Sequence, residues 1–143
     1  MRGLDMVGIV IVAHGELGES LIETAAIILG ERPEAVFSVS IDLTQEINQL
    51  RQKIQEGIKA VNHKNGIVIL TDMFGGTPSN LSYSFLEEGR VEVISGVNLP
   101  VLIKSINLRK RKTDLHEMAK TIEAYGKKSI SLASDILKGN KRE

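Results

Sequence analysis

Four short apolar segments divide the chain and predict the strands of a sheet. Residues 7–13 (VGIVIVA) and 66–71 (GIVILT) are continuously apolar and rich in β-branched side chains. This pattern is typical of strands covered on both faces in a parallel sheet. Residues 37–41 and 91–93 instead alternate between apolar and polar positions, as strands nearer an edge do. The pattern therefore predicts two central and two outer strands.

Between and after these strands, apolar residues recur every three to four positions, which predicts five amphipathic helices. Thr44 is the expected N-cap of the second helix, and Thr77, followed by a proline, that of the third. The fourth covers residues 100–108, while the fifth begins at the cap Asp114 and closes at Gly126. The predicted buried stripe of the first helix consists of Leu17, Leu21, Ala25, Ile28 and Leu29.

Strands alternating with helices predict an α/β fold, a three-layer sandwich with right-handed crossovers around a mostly parallel sheet. If the two fully apolar strands lie side by side, the strand order is 2-1-3-4. Residues 129–133 alternate like one further short strand, whose neighbour the pattern does not identify. This segment could leave the subunit.

Composition narrows the classes of partner. The 143 residues fit one domain, and 18 Lys and Arg balance 18 Asp and Glu, so charge favours neither nucleic acid nor an anionic membrane. The absence of cysteine excludes disulfides and thiolate chemistry, and it is consistent with the cytoplasm. No apolar run approaches the roughly 20 residues of a membrane helix. A protein or small-molecule partner is therefore expected.

The order 2-1-3-4 places a crevice between the first and third strands, where ligands of open α/β sheets bind. His14 follows the first strand and Asp72 follows the third, so both side chains are expected at this crevice. A carboxylate that accepts from one imidazole nitrogen leaves the other as an exposed lone pair. Such a histidine is a nucleophile or a metal ligand.

The residues after Asp72 distinguish these two roles. Gly75 and Gly76 offer bare backbone amides, and Thr77 adds a hydroxyl at a helix N-terminus, which together favour a tetrahedral anion. The site is therefore expected to hold a phosphoryl group on His14. The structural alternative is that Asp72 caps a turn and the two glycines only reverse the chain.

Other polar residues are interpreted as structural. His63 and His116 are expected on the solvated surface, and neither has metal-ligand spacing with His14. The basic run 109–112 (RKRK) is interpreted as a solvated loop. The chain has no complete dinucleotide motif, nucleophile elbow or P-loop. No metal site and no cofactor are predicted.

Three segments with these residues resemble a known family, the EIIA domain of the mannose-type phosphoenolpyruvate-dependent sugar phosphotransferase system. They are residues 9–30 (IVIVAHGELGESLIETAAIILG), 66–80 (GIVILTDMFGGTPSN) and 94–103 (ISGVNLPVLI). The resemblance covers residues 6–137 as one domain, leaving 1–5 and 138–143 as extensions.

The resemblance implies that His14 accepts a phosphoryl group from the phosphocarrier HPr and passes it to an EIIB domain. Asp72 would orient the imidazole ring, and Gly75, Gly76 and Thr77 would hold the phosphate. Phe74 would lie on the partner surface, where other members carry tryptophan. The family also implies a cytoplasmic homodimer that exchanges the C-terminal strand. No EIIB domain follows, so EIIB is expected to be a separate protein.

Two alternatives use the same histidine. In a regulatory module without transport, phosphorylation of His14 would change binding to another protein, since about two added negative charges alter a surface. A tetrapyrrole metal chelatase also ends its first strand in His-Gly, but it would need a second histidine or a glutamate across the cleft. Proteins that feed dihydroxyacetone kinase share the histidine strand but usually lack the glycine turn.

Overall fold

The computed structural model describes residues 6–61, 64–111 and 114–139. His63, Lys112 and the extension 1–5 lie outside the described residues, as do positions 140–143. The strands are β1 (Gly8–His14), β2 (Val36–Ile41), β3 (Ile67–Thr71) and β4 (Val91–Ser95). The helices are α1 (Leu17–Leu29), α2 (Ile47–Ala60), α3 (Thr77–Tyr83), α4 (Leu99–Leu108), α5 (Leu115–Lys128) and α6 (Ala133–Leu137).

The sheet confirms the predicted topology. Its four strands are all parallel and follow the order β2-β1-β3-β4. Ile9 of β1 lies beside Val36 of β2 on one side and Val68 of β3 on the other. The two fully apolar strands are therefore central, and β4 is an edge strand of the sheet.

Side chains alternating along β1 form two separate cores, which explains why this strand is apolar throughout. Ile11 packs into a cluster with residues from α1, α4 and α5, while Val10 packs into a second cluster with residues from α2 and α3. Both side chains are fully buried. Helices thus cover both faces of the sheet, which confirms the three-layer sandwich.

The buried face of α1 differs from the predicted stripe. Leu17 and Ile28 are 43% and 58% exposed, whereas Ile22 is fully buried. The reason is Gly18, which packs so closely on the sheet that a Cβ there would lie 3.2 Å from the Ile11 side chain. This contact turns the face containing Gly18, Ile22 and Ala25 toward the core.

Helix ends also correct the sequence analysis. The N-cap of α2 is Glu46, in a capping box with Gln49, because Thr44 bonds to Asp42 instead. Gly76 caps α3, so Thr77 is its first helical residue.

The fifth helix begins at the predicted cap, because the Asp114 side chain accepts from the Glu117 N–H. It does not close at Gly126 but continues to Lys128. A Cβ at Gly126 would lie 2.8 Å from the Val101 side chain, so this glycine permits close packing of α5 on α4.

The predicted strand at 129–133 does not form within this chain. Ala133 begins α6, and the backbone of Leu132 is extended without being part of the four-stranded sheet. An extended segment needs a neighbouring strand to bond its backbone groups, and the described residues place none beside it. Its apolar side chains are exposed, at 82% for Ile130 and 65% for Leu132.

None of the helices in the described residues combines the length and the apolar character that crossing a bilayer requires.

Candidate functional site

His14 and Asp72 meet at the carboxyl edge of the sheet. His14 is the last residue of β1, and Asp72 directly follows β3, the neighbouring parallel strand. The His14 Nδ1 atom lies 2.7 Å from the Asp72 Oδ2 atom. The backbone N–H of His14 donates to the same oxygen over 2.9 Å, while the Met73 N–H donates to Oδ1 over 2.8 Å. The carboxylate is therefore held on both oxygens.

These hydrogen bonds keep Asp72 ionised. Burial raises the pKa of Asp72, whose side chain is only 11% exposed, but hydrogen bonds from His14 and from the Met73 N–H together outweigh burial and lower that pKa. An ionised carboxylate can only accept hydrogen bonds, so the Nδ1 atom of His14 carries the proton. The Nε2 atom is then the nitrogen that can present a lone pair. The His14 side chain is 39% exposed, which leaves the ring open to a partner.

The predicted glycine turn lies beside the ring. A Cβ added to Gly76 would stand 3.4 Å from the Cε1 atom of His14, so the backbone approaches the ring closely. Gly75 has a φ of 88°, in the left-handed region that favours glycine. Thr77 follows at the start of α3. The structure thus brings the predicted turn and the histidine together.

The outer surface of this loop is apolar and exposed. The Phe74 side chain is 79% exposed and that of Met73 is 57% exposed. The ring of Phe74 lies 6.2 Å from the ring of Tyr83, measured between centroids. An aromatic side chain therefore projects from the loop that follows Asp72 without being part of the core.

His116 lies on α5 and pairs with Glu92 of β4, not with His14 or Asp72. Its side chain is 66% exposed, and its Nδ1 atom lies 2.8 Å from the Glu92 Oε2 atom. The hydrogen bond with Glu92 raises the pKa of His116. In the parts of the chain that the structure describes, no group of three or more histidine, aspartate or glutamate side chains is placed to hold a metal ion.

The interpretation of the basic run as a solvated loop is wrong at its first residue. Arg109 is 4% exposed, and burial lowers the pKa of its guanidinium group. It lies beneath the sheet, with its backbone carbonyl accepting from the Val7 N–H. Lys110 and Arg111 are exposed as expected.

Sequence reasoning missed a group of hydroxyls below the site. Thr71, Ser79, Ser95 and Tyr83 form hydrogen bonds with one another under the loop 72–76. Thr71 and Ser95 both end strands, and Ser79 is on the buried side of α3. Polar residues at two strand ends and on the buried side of a helix are the feature of the sequence from which this cluster could have been predicted.

Comparison with known proteins identifies the family. A family model, EIIA-man, described as the fructose IIA component of the phosphotransferase system (PTS), matches residues 8–123. The chain belongs to the EIIA-man family. This assignment confirms the resemblance found in the sequence, and it makes the protein a sugar phosphotransferase component of the mannose family.

Curated relatives agree with this assignment. The chain is 29% identical over 133 residues to the PTS system fructose-specific EIIA component of Bacillus subtilis, covering 92% of this chain and 90% of that protein. It is 28% identical over 125 residues to the mannose-specific EIIAB component of Escherichia coli K12. That match covers 87% of this chain and 38% of the longer relative.

Solved structures share the fold. A phosphotransferase system component EIIA from Streptococcus agalactiae superposes with a TM-score of 0.79 at 25% identity, covering 90% of this chain and 98% of that one. The mannose/sorbose specific IIA subunit from Enterococcus faecalis superposes with a TM-score of 0.76 at 20% identity, covering 89% and 94%. The EIIA-man chain thus has the architecture of solved EIIA proteins.

Proposed function

We propose that this EIIA-man protein carries a phosphoryl group on His14, accepting it from phospho-HPr and passing it to EIIB for sugar uptake. The observation that carries the proposal is the His14–Asp72 pair. Asp72 fixes the proton on the Nδ1 atom, so the Nε2 atom presents its lone pair outward. Only a nitrogen with a free lone pair can attack phosphorus.

The transfer is an in-line displacement between two histidines. The Nε2 atom of His14 forms a bond to phosphorus while the phosphorus–nitrogen bond of the donor breaks, and the Nδ1 proton stays with the His14 ring. As that bond forms, positive charge develops on the His14 ring. The ionised Asp72 stabilises this charge because it lies 2.7 Å from the Nδ1 atom. Positioning and charge stabilisation are the protein's main contributions.

Gly75, Gly76 and Thr77 are proposed to hold the phosphoryl oxygens. Gly76 supports this role because its backbone lies beside the Cε1 atom, which is bonded to Nε2. The missing side chain leaves room there for an oxygen, and Thr77 brings a hydroxyl at the next position. Backbone N–H groups of a turn are suited to an anion.

Phe74 is proposed as part of the surface that both protein partners contact. It is largely exposed beside the site, and exposed aromatic side chains are enriched at protein interfaces. Donor and acceptor must each approach the same His14 nitrogen. A shared apolar contact beside the histidine would serve both encounters.

A homodimer in the cytoplasm is also proposed, with residues 129–133 of one subunit pairing with the edge of the other. Beside β4 a groove of roughly 1050 Å³ is lined by residues of β4, α5 and 86–89. The exposed apolar side chains Ile130 and Leu132 would find cover there. Such pairing would also protect an edge strand from uncontrolled association.

Intact-protein mass spectrometry tests the carrier role. Wild type, His14→Ala and His116→Ala are incubated with phosphoenolpyruvate, enzyme I and HPr. We expect wild type and the control His116→Ala to gain one acid-labile phosphoryl group and His14→Ala to gain none. No gain in wild type, with the carriers active on another EIIA protein, contradicts the proposal.

A regulatory role for the same phosphohistidine is the alternative. Adding purified EIIB separates the two roles, because a transport component loses its phosphoryl group to EIIB while a regulatory module retains it. The chelatase alternative lacks support, since the chain belongs to the EIIA-man family.

A further inference from the structure

Four hydroxyl groups form a hydrogen-bonded cluster directly below the loop 72–76. The Ser79 Oγ atom is at the centre, 2.5 Å from the Thr71 Oγ1 atom and 3.0 Å from the Ser95 Oγ atom. The Tyr83 hydroxyl lies 3.1 Å from the Ser95 Oγ atom. Thr71 and Ser79 are fully buried. The cluster joins β3, α3 and β4 below the site.

One hydrogen bond connects this cluster to the loop. The Ser79 hydroxyl donates to the Met73 carbonyl oxygen over 2.5 Å. A serine hydroxyl has one proton, so Ser79 must accept from Ser95, because the Thr71 hydroxyl donates its own proton to Ser95. The Met73 carbonyl oxygen can only accept, so this hydrogen bond directs the Ser79 proton at the loop.

Met73 is held through both of its backbone groups. Its carbonyl accepts from Ser79, and its N–H donates to the Asp72 Oδ1 atom over 2.8 Å. The second Asp72 oxygen accepts both N–H groups of His14. A continuous path of hydrogen bonds thus leads from the buried Ser79 hydroxyl through Met73 and Asp72 to the reactive ring.

We infer that Ser79 is a positioning residue for phosphoryl transfer at His14. It acts through the backbone of Met73, which holds the Asp72 carboxylate against the Nδ1 atom of His14. The inference rests on the proposed carrier function. Without the Ser79 hydroxyl, the Met73 carbonyl loses its buried donor. The loop then gains freedom, and Asp72 spends less time in the geometry that transfer requires.

The same helix offers a matched control. Ser82 is fully buried like Ser79, but its hydroxyl donates to the Pro78 carbonyl of its own helix. Ser79→Ala and Ser82→Ala each remove one hydroxyl group from a fully buried position of the same helix. Only the first deletion removes a contact with the loop. A loss of stability alone would affect both variants alike.

The experiment measures single-turnover phosphorylation by phospho-HPr over a range of donor concentrations. We expect Ser79→Ala to reduce the maximal rate about tenfold, or ~1.4 kcal/mol of barrier, with unchanged half-saturation. Ser82→Ala stays within twofold of wild type. The proton NMR signal of the His14 Nδ1–H group reports on the hydrogen bond itself, and it should exchange faster with water in Ser79→Ala alone.

A Ser79→Ala rate within twofold of Ser82→Ala overturns the inference while leaving the carrier function intact. Failure of wild type to accept phosphate overturns the carrier function instead, and the two failures are thereby distinguished. Should Ser79→Ala not fold, Ser95→Ala removes a neighbour of Ser79 from the half-buried end of β4. An unchanged maximal rate in Ser95→Ala then contradicts a role of the cluster in positioning Asp72.

Discussion

The Asp72 Oδ2 atom accepts two hydrogen bonds from one residue, His14: the backbone N–H donates over 2.9 Å and the Nδ1 atom lies at 2.7 Å. The ring cannot turn away from this oxygen without breaking a bond, and the backbone cannot move without carrying the ring with it. The folded protein therefore already holds the His14 ring in part of the geometry that phosphoryl transfer requires.

Asp72→Asn should slow phosphorylation of His14 by about 10- to 100-fold, because a hydrogen bond to a charged group contributes ~1.5–3 kcal/mol. The Asp72 carboxylate accepts hydrogen bonds from three N–H groups. An amide has only one oxygen to accept them, and its own N–H group would face the remaining donors. Rapid-quench experiments with phospho-HPr measure the rate of His14 phosphorylation. The control Asp42→Asn changes an exposed aspartate after β2 and should leave the rate unchanged. Equal rates for wild type and Asp72→Asn remove Asp72 from the mechanism.

Stability should depend on Asp72 ionisation in acid. The folded-state pKa of Asp72 is lowered, so its contribution is fully present above the unfolded value of about 3.9. That contribution disappears as the pH falls through the folded-state pKa. Urea unfolding of wild type and Asp72→Asn at fixed protein concentration should therefore show a difference at pH 6 that narrows below pH 4. A constant difference contradicts this linkage.

Gly76→Ala should impair transfer while leaving the fold intact. The φ of Gly76 is −85°, which alanine adopts readily, and the new methyl carbon would lie 3.4 Å from the His14 Cε1 atom. We expect the free energy of unfolding to change by less than about 1 kcal/mol. Phosphorylation should slow roughly tenfold, because the methyl group occupies space beside Nε2. A variant as fast as wild type would show that the phosphoryl oxygens lie elsewhere.

The exposed tail should hold the proposed dimer together. Deleting residues 128–143 removes four exposed apolar side chains, those of Ile130, Leu132, Ile136 and Leu137. Sedimentation velocity should then show a shift from dimer to monomer. A control chain ending at Leu137 keeps all four side chains and should remain dimeric. If the shorter chain sediments as a dimer, the subunits associate through another surface.

Patterns within single segments were sufficient to predict the sheet. Residues 7–13 and 66–71 have no polar face, so they had to lie in the middle, and the strand order followed. The same reasoning placed His14 and Asp72 at one edge. Both predictions require only that the central strands are recognised, and the local pattern of apolar residues is sufficient for that.

Features that depend on distances between elements were not predictable. The face of α1 is set by close contact of Gly18 with the sheet, and Arg109 is buried because α4 ends below β1. The hydroxyl cluster needs three elements to converge on Ser79. A single sequence does not give those spacings, so they appeared only in the structure.

The position of Tyr83 gives the protein an optical signal of its own. The chain has two tyrosines and no tryptophan. The Lys104 ammonium group lies over the Tyr125 ring, while Tyr83 belongs to the hydroxyl cluster and lies beside Phe74. One of two fluorophores thus stands next to the loop that faces His14. We therefore expect tyrosine emission to change when this loop moves on phosphorylation of His14, which would report the reaction without a label.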